Sequence, residues 1–407
     1  MPRIDGARLL ADLRRMADFG RYKTGVHRPT FTAEDVESRR WLAGRMREAG
    51  LDPVIDGIGN VLGRAAGDGR RLLMGSHTDT QPQGGWLDGV MGVIYGLEVA
   101  RAFRDDPATA GLAVEVASWA DEESHYLSFL GSKSFVGELS EADIDQARNR
   151  DDGTPLRAAL ARAGLSGRPR LALDPARYVG YLEAHIEQGG YLEAGGKRIG
   201  VVTAIVGIFG YRVVFSGVQN HAGTTPMPIR KDAGVALVRF CNALYERFAA
   251  ISGPRSVWTV GRILLEPGAP AIIPGRAEML LQFRDEDLRV MERFEKALMD
   301  LAAETNAAGP CPVTVEALSR VPPTGMAPAF QEALAAVAEQ TVPGGWMRMP
   351  SAAGHDAQIL AHRLPAGMMF VPSIGGVSHH YSEDTDEADI VLGCQVFADA
   401  AARILRG

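Results

Sequence analysis

Three consecutive stretches constrain the fold of this chain most: the apolar run RLLMGSH (71–77), the helix-patterned GVMGVIYGLEVARAF (89–103), and a second β-rich run, LAVEVASWADEE (112–123). Strand, helix, strand in this order is the pattern of a crossover unit, and it predicts a mostly parallel sheet with covering helices. Each β-rich run ends in polar residues, His77 in the first and Asp121, Glu122 and Glu123 in the second. Open α/β sheets bind ligands in the crevice beyond the carboxyl ends of their strands, so the same pattern marks where chemistry is expected.

The rest of the chain fits around that unit. Leu9, Leu10, Leu13 and Met16 recur at helical spacing after Asp5, and Thr32 offers a cap for a helix containing Trp41, Leu42 and Met46. Residues 141–175 are charged and broken by Gly and Pro, which reads as a helical excursion on the surface. At 407 residues the chain exceeds the roughly 250 to 300 at which single cores stop growing, so two domains are expected. The texture changes after residue 207. YRVVFSG, a helix over 232–251, the runs SVWTVGRILL and AEMLLQFR, a second long helix and VTVEAL follow one another. That order is the plan of a small α+β sandwich. The reading is an α/β protein: a main domain of 1–207 and 321–407, and an inserted α+β domain of 208–320.

Composition removes several function classes. With 46% hydrophobic and 23% charged residues and a net charge of -7, there is no basic excess to follow a phosphate backbone, so nucleic acid is not an expected partner. The N-terminus lacks the apolar core of a signal peptide and no later window approaches a membrane span, so a cytoplasmic protein away from the membrane is expected. The cysteines, Cys241, Cys311 and Cys394, are far apart and read as small apolar fillers in a reducing compartment.

Four clusters carry chemistry. In HTDTQPQGGWLDG (77–89), His77 and Asp79 stand two apart at a strand end, where the Asp79 carboxylate can accept the second ring N–H of a metal-bound His77, and Asp88 opens the next helix. Asp121, Glu122 and Glu123 by themselves form a solvated acidic tip; beside a cation, one glutamate can ligate while its neighbour takes a proton from water. YLEAHIEQGGYLE places His185 among Glu183, Glu187 and Gln188, and SAAGHDA and GVSHHYSEDT supply His355, His379, His380 and Glu383. Seven of the nine histidines, His77, His125, His185, His221, His355, His379 and His380, lie in polar, glycine-containing or loop contexts. Imidazole and carboxylate without suitable cysteines favour zinc, manganese, cobalt or nickel.

In order and character, GSHTDTQPQGGWLDGVMGV, DEESHYLSFLGS, EAHIEQG, NHAGTTPM, IIPGRAEMLLQFR, AGHDA and FVPSIGGVSHHYSE resemble the amidase, hydantoinase and carbamoylase family of dinuclear metallohydrolases, relatives of the metal-dependent aminoacylases. The resemblance implies an amidohydrolase of N-carbamoyl-L-amino acids, β-ureidopropionate or allantoate. It implies two divalent metal ions per subunit, one held by His77 and His185, the other by Glu123 and His379, with Asp88 bridging and Glu122 as general base. It implies a homodimer in which the inserted domain serves as dimerisation domain and lid, His221 reaches the partner's site, and Arg284 grips the carboxylate of a small-molecule substrate. Gln188 and His355 are further polar contacts and Asp79 an orienting residue.

Three positions depart from that pattern. Ala271 stands where relatives commonly have a carboxylate-binding asparagine, Ala352 where a glycine is usual, and QFR (282–284) replaces an acidic-x-Arg run. None is a proposed ligand, so hydrolysis is expected to be intact and substrate preference altered. An amidohydrolase of N-acyl amino acids or of another ureido compound, a dipeptidase with the same metal chemistry, and a binding protein that has kept the fold without catalysis are the rival readings.

Overall fold

The computed structural model describes residues 2–67 and 69–407. The chain forms two compact units, Met1–Thr203 with Met326–Gly407, and Ala204–Gly325.

The main strands of the larger unit are β1 (Asp52–Ile55), β2 (Val61–Arg64), β3 (Arg71–His77), β4 (Val114–Trp119), β5 (Tyr178–Ile186), β6 (Ile199–Ile205) and β7 (Ala366–Val371). They lie in the order β1-β2-β4-β3-β5-β7-β6. The middle strands β4, β3, β5 and β7 run parallel, flanked by antiparallel pairings on either side. β3 is buried on both faces, as its unbroken apolar run requires in a sheet covered by helices on both sides. The crossover helix Val90–Asp105 is buried from Val90 to Phe103, its charged Glu98 and Arg101 paired with Arg8 and Asp12, and it packs on the sheet and on helices Gly6–Asp18 and Glu387–Arg406. Thr32 caps its helix as the sequence predicts, and Asp5 caps the first; Leu9, Leu13 and Met16 face the core, with Leu10 at its margin.

Register then aligns the strand ends. His77 lies opposite Trp119, and Phe370 opposite His185. Met74 lies opposite Leu182, so three residues further along each strand His77 comes level with His185. All four parallel strands therefore deliver their following loops to one edge.

The segment 141–175 is more than a surface excursion. Its short helices Glu141–Gln146 and Leu156–Arg162 enclose a small apolar cluster of Ile144, Leu156, Ala159 and Leu160 with Phe31 and Ile58.

The smaller unit is an antiparallel sheet in the order Val257–Glu266, Arg276–Asp285, Gly207–Ser216, Val313–Val321, packed against helices Ala233–Ile251 and Leu288–Ala308. Its core is aromatic: Phe209, Tyr211, Phe215, Phe248, Phe283 and Phe294 are buried, with Phe248 and Phe294 ring centroids 4.5 Å apart. This is the α+β sandwich that the strand and helix pattern predicts. Among the described residues no helix is long and apolar enough to cross a membrane.

Candidate metal centre

At the shared edge of the larger unit, the Asp88 carboxylate lies between two groups of donors. Its Oδ1 is 3.0 Å from His185 Nε2 and 3.8 Å from His77 Nε2. Its Oδ2 is 3.2 Å from His379 Nε2, which is 3.8 Å from Glu123 Oε2. His77, Asp88 and His185, and Asp88, Glu123 and His379, are thus two groups able to hold a cation while sharing one carboxylate. All are buried except His379, whose side chain is 50% exposed.

The strand-borne imidazoles are oriented by the main chain. His77 Nδ1 is 2.9 Å from the Asp79 carbonyl oxygen and His185 Nδ1 2.9 Å from that of Ile186. A carbonyl only accepts, so each Nδ1 carries a proton, and Nε2 is the ring atom turned towards Asp88. The Asp79 carboxylate was expected to do this for His77, but its nearer oxygen is 3.7 Å from Nδ1. It accepts instead from the Thr30 hydroxyl at 2.9 Å and the Glu123 N–H at 3.2 Å, so it fixes the Glu123 turn. Gly89, at φ +67°, completes the seat: a Cβ there would fall 2.4 Å from the His77 ring.

The acidic run is not a solvated tip. Strand β4 stops at Trp119, and Asp121 at φ +57° turns the chain. The buried Asp121 carboxylate collects the N–H groups of His125, Tyr126 and Leu127. This turn, rather than the alternation of a strand, separates the two glutamates. Glu123 faces His379, while Glu122, its side chain only 10% exposed, has Oε2 3.7 Å from His77 Nε2.

The electrostatics are those of a carboxylate cluster short of positive charge. Burial opposes ionisation of Asp88, yet hydrogen bonds with His185 and His379 hold it well below the usual carboxylate range. Burial and the nearby Asp88 push Glu123 up to about 8, and burial with the charge of Glu123 holds Glu122 well above the usual carboxylate range. His185 is pulled down by burial but raised, on balance, to about 9 by Asp88; the hydrogen bond to Asp88 likewise outweighs burial at His379 and raises it to about 9. Protons here take the place that cations fit, since burying these charges unpaired is costly. With imidazole and carboxylate donors and no thiolate, the site suits zinc, manganese, cobalt or nickel.

The other expected residues divide by unit. Gln188 joins the ligands: its Nε2 is 3.2 Å from Asp88 Oδ2 and 3.3 Å from His379 Nε2. His355, expected at the substrate, is buried behind His185, its ring centroid 4.6 Å away and its Nε2 2.9 Å from Ser351 Oγ. In the smaller unit, His221 is exposed and pairs opposite Ile272. Its Nδ1 accepts from the N–H groups of Gly223 at 3.0 Å and Thr224 at 3.1 Å, which leaves Nε2 as a donor. The Ala271 carbonyl lies beside it, accepting from Ala222 N–H. Arg284 closes its Nε and one terminal nitrogen on Gln282 Oε1 at 3.0 and 2.9 Å, so the altered residue of QFR is its direct neighbour.

Two residues given no role by the sequence reading bind the site together. Gln81 donates its main-chain N–H and its amide to the two Glu123 oxygens at 3.1 and 2.7 Å. Glu383 accepts from the main chain at Leu87 and Asp88. Each follows a ligand by four positions, Gln81 after His77 and Glu383 after His379, but that nearness alone carries no pattern that announces a role.

Residues 73–403 match the profile of peptidase family M20/M25/M40. The chain is 33% identical to the N-carbamoyl-L-amino acid amidohydrolase of Geobacillus stearothermophilus, over 99% of this chain and 100% of that protein. It is 31% identical to the allantoate amidohydrolase of Bacillus subtilis, over 92% of each. Among solved structures it is similar to an amidase of the hydantoinase/carbamoylase family from Burkholderia phymatum, with 51% identity, a TM-score of 0.95, and coverage of 100% of this chain and 99% of that one.

Proposed function

The chain belongs to peptidase family M20/M25/M40, and from that premise we propose that it is a metal-dependent amidohydrolase cleaving the linear, non-peptide C–N bond of an N-carbamoyl-L-amino acid or a related ureido acid. The observation that carries this reading is the Asp88 carboxylate, with one oxygen turned to His77 and His185 and the other to His379 beside Glu123, and with Glu122 adjoining His77. The relatives named above act on N-carbamoyl amino acids and on allantoate, both ureido compounds.

Two divalent cations, held by His77, His185 and Asp88 on one side and by Asp88, Glu123 and His379 on the other, would lower the pKa of the attacking water and polarise the substrate carbonyl. Glu122 accepts the proton of that water as it adds to the carbonyl carbon, then returns it to the departing nitrogen. The carbamic acid released from an N-carbamoyl group decomposes to ammonia and carbon dioxide. Negative charge on the carbonyl oxygen calls for a donor, and the ring N–H at Nε2 suits the partner subunit's His221 to that task in a homodimer. Arg284 binds the substrate carboxylate with its planar guanidinium. With Ala271 offering no amide and Gln282 in place of an acidic residue, the grip on that carboxylate differs from the family pattern, which is where substrate preference diverges. His355 acts by backing His185, and Gln188 by holding Asp88 and His379.

The test is metal analysis with ammonia release from N-carbamoyl amino acids and allantoate, and release of free amino acid from N-acyl amino acids and dipeptides. Wild type is expected to turn over a ureido acid, and Glu122→Gln to keep its metals and lose roughly 10²- to 10⁴-fold in kcat. Full turnover by the metal-loaded variant would remove Glu122 from its role. A metal-loaded wild type inert on every compound would favour a binding protein, and hydrolysis of dipeptides alone a dipeptidase.

A further inference from the structure

We propose that Glu383 is a positioning residue that fixes the Asp88 loop and the His379 loop to each other, so that one carboxylate can serve both cation positions; this rests on the dinuclear reading above. The side chain is 1% exposed. Its Oε1 accepts from the N–H of Asp88 at 3.0 Å and of Leu87 at 3.3 Å, and its Oε2 accepts from the Ser378 hydroxyl at 2.9 Å. It therefore grips the main chain at one ligand and the residue immediately before another. Its own N–H donates to the His380 carbonyl at 3.0 Å, which closes the turn immediately after His379.

The surroundings are built for this carboxylate. A Cβ at Gly85 would fall 1.8 Å from Oε1, so the glycine leaves the space that the side chain occupies. Ser378 Oγ is also 3.2 Å from Gln188 Nε2, which is 3.2 Å from Asp88 Oδ2. The tether thus forms a closed circuit: Glu383, the Asp88 main chain, the Asp88 carboxylate, Gln188 and Ser378. His379 needs such an anchor, because it sits in a loop at φ +55° with half its side chain in solvent. Residues that orient metal ligands in this way typically change metal affinity ten- to hundredfold when removed.

The test compares wild type, E383A, E383Q and S378A, each stripped of metal and titrated with Co²⁺, with stoichiometry read by elemental analysis and ligand geometry by the visible absorption of bound cobalt. Wild type is expected to take two ions. E383A should bind one ion as wild type does and the second roughly 10- to 100-fold more weakly, with an altered spectrum for that second ion only. E383Q keeps an oxygen for the two main-chain N–H groups and offers its amide N–H to Ser378, so it should restore the second ion. S378A loses one tether and should weaken the second ion by about tenfold.

Two ions bound by E383A with wild-type affinity and spectrum would overturn the proposal, as would an E383Q no better than E383A. Circular dichroism of the stripped proteins separates these outcomes from misfolding. If E383A does not fold, unchanged second-ion affinity in S378A overturns the proposal by itself. A wild type that binds fewer than two ions would instead defeat the dinuclear reading.

Discussion

On one side of Asp88 the donors stand on paired strands; on the other they stand on loops. His77 and His185 end β3 and β5, and each gives its second ring nitrogen to a main-chain carbonyl within two residues of itself. Glu123 and His379 follow turns with left-handed residues, Asp121 and His379 itself, and side chains hold them: Gln81 and the Asp79 carboxylate on Glu123, Gln188 on His379. The first side is set by sheet register and is as rigid as the sheet. The second is assembled from separate side-chain contacts. On the dinuclear reading proposed above, one cation position is preorganised by the backbone and the other by side chains, and the two share Asp88.

The most severe test of that difference is to remove what both sides share. Asp88→Ala is expected to lose both ions at once and all measurable turnover, because each group of donors drops to two protein ligands. Elemental analysis after gel filtration checks it; an Asp88→Ala protein retaining one tightly held ion would show that the strand side does not depend on the bridge. A gentler test is graded removal of metal from the wild type by a chelator. The loop side should empty first, giving a one-ion protein whose remaining ion resists chelation but is lost in His77→Ala. Simultaneous loss of both ions would mean that the two sides are equally held.

Much of the strand side was legible in the sequence. The parallel sheet follows from RLLMGSH, a helix and LAVEVASW in succession, and sheets of that type place ligands at their carboxyl edge, so His77 stood out before any coordinates. His185 and the loop-side ligands were legible only through their resemblance to a family, since nothing in the spacing brings residues 123, 185 and 379 together. Local patterns misled where tertiary contacts override them. DEE reads as an exposed acidic tip, yet Asp121 is buried because three main-chain N–H groups converge on it. His-x-Asp predicts a carboxylate behind His77, yet the main-chain carbonyl is nearer. His355 reads as a polar loop residue and is packed behind His185. Such contacts depend on loop conformation, which single-residue chemistry does not encode.

The smallest expected effect isolates one side-chain contact. Gln81 reaches both Glu123 oxygens, one through its main-chain N–H at 3.1 Å and the other through its amide nitrogen at 2.7 Å, and its amide oxygen accepts from Arg150 at 2.6 Å. Arg150 thereby sets which end of the amide faces Glu123, and also donates to the Glu123 carbonyl at 3.0 Å. Gln81→Met keeps the volume and the main-chain donor but removes the amide, so Glu123 Oε2 and the Glu123 carbonyl each lose an N–H donor, while Arg150 still donates to that carbonyl. The expected loss is confined to the loop-side ion, about ten- to hundredfold in affinity, or about 1.4 to 2.8 kcal/mol. The strand-side ion should be unchanged, because no hydrogen bond of Gln81 reaches His77 or His185. Competition titration against a metal-binding dye measures both affinities in one experiment. Equal weakening of both ions would show that the Glu123 turn and the strand ends respond as one body, and the distinction between a backbone-set and a side-chain-set position would then fail.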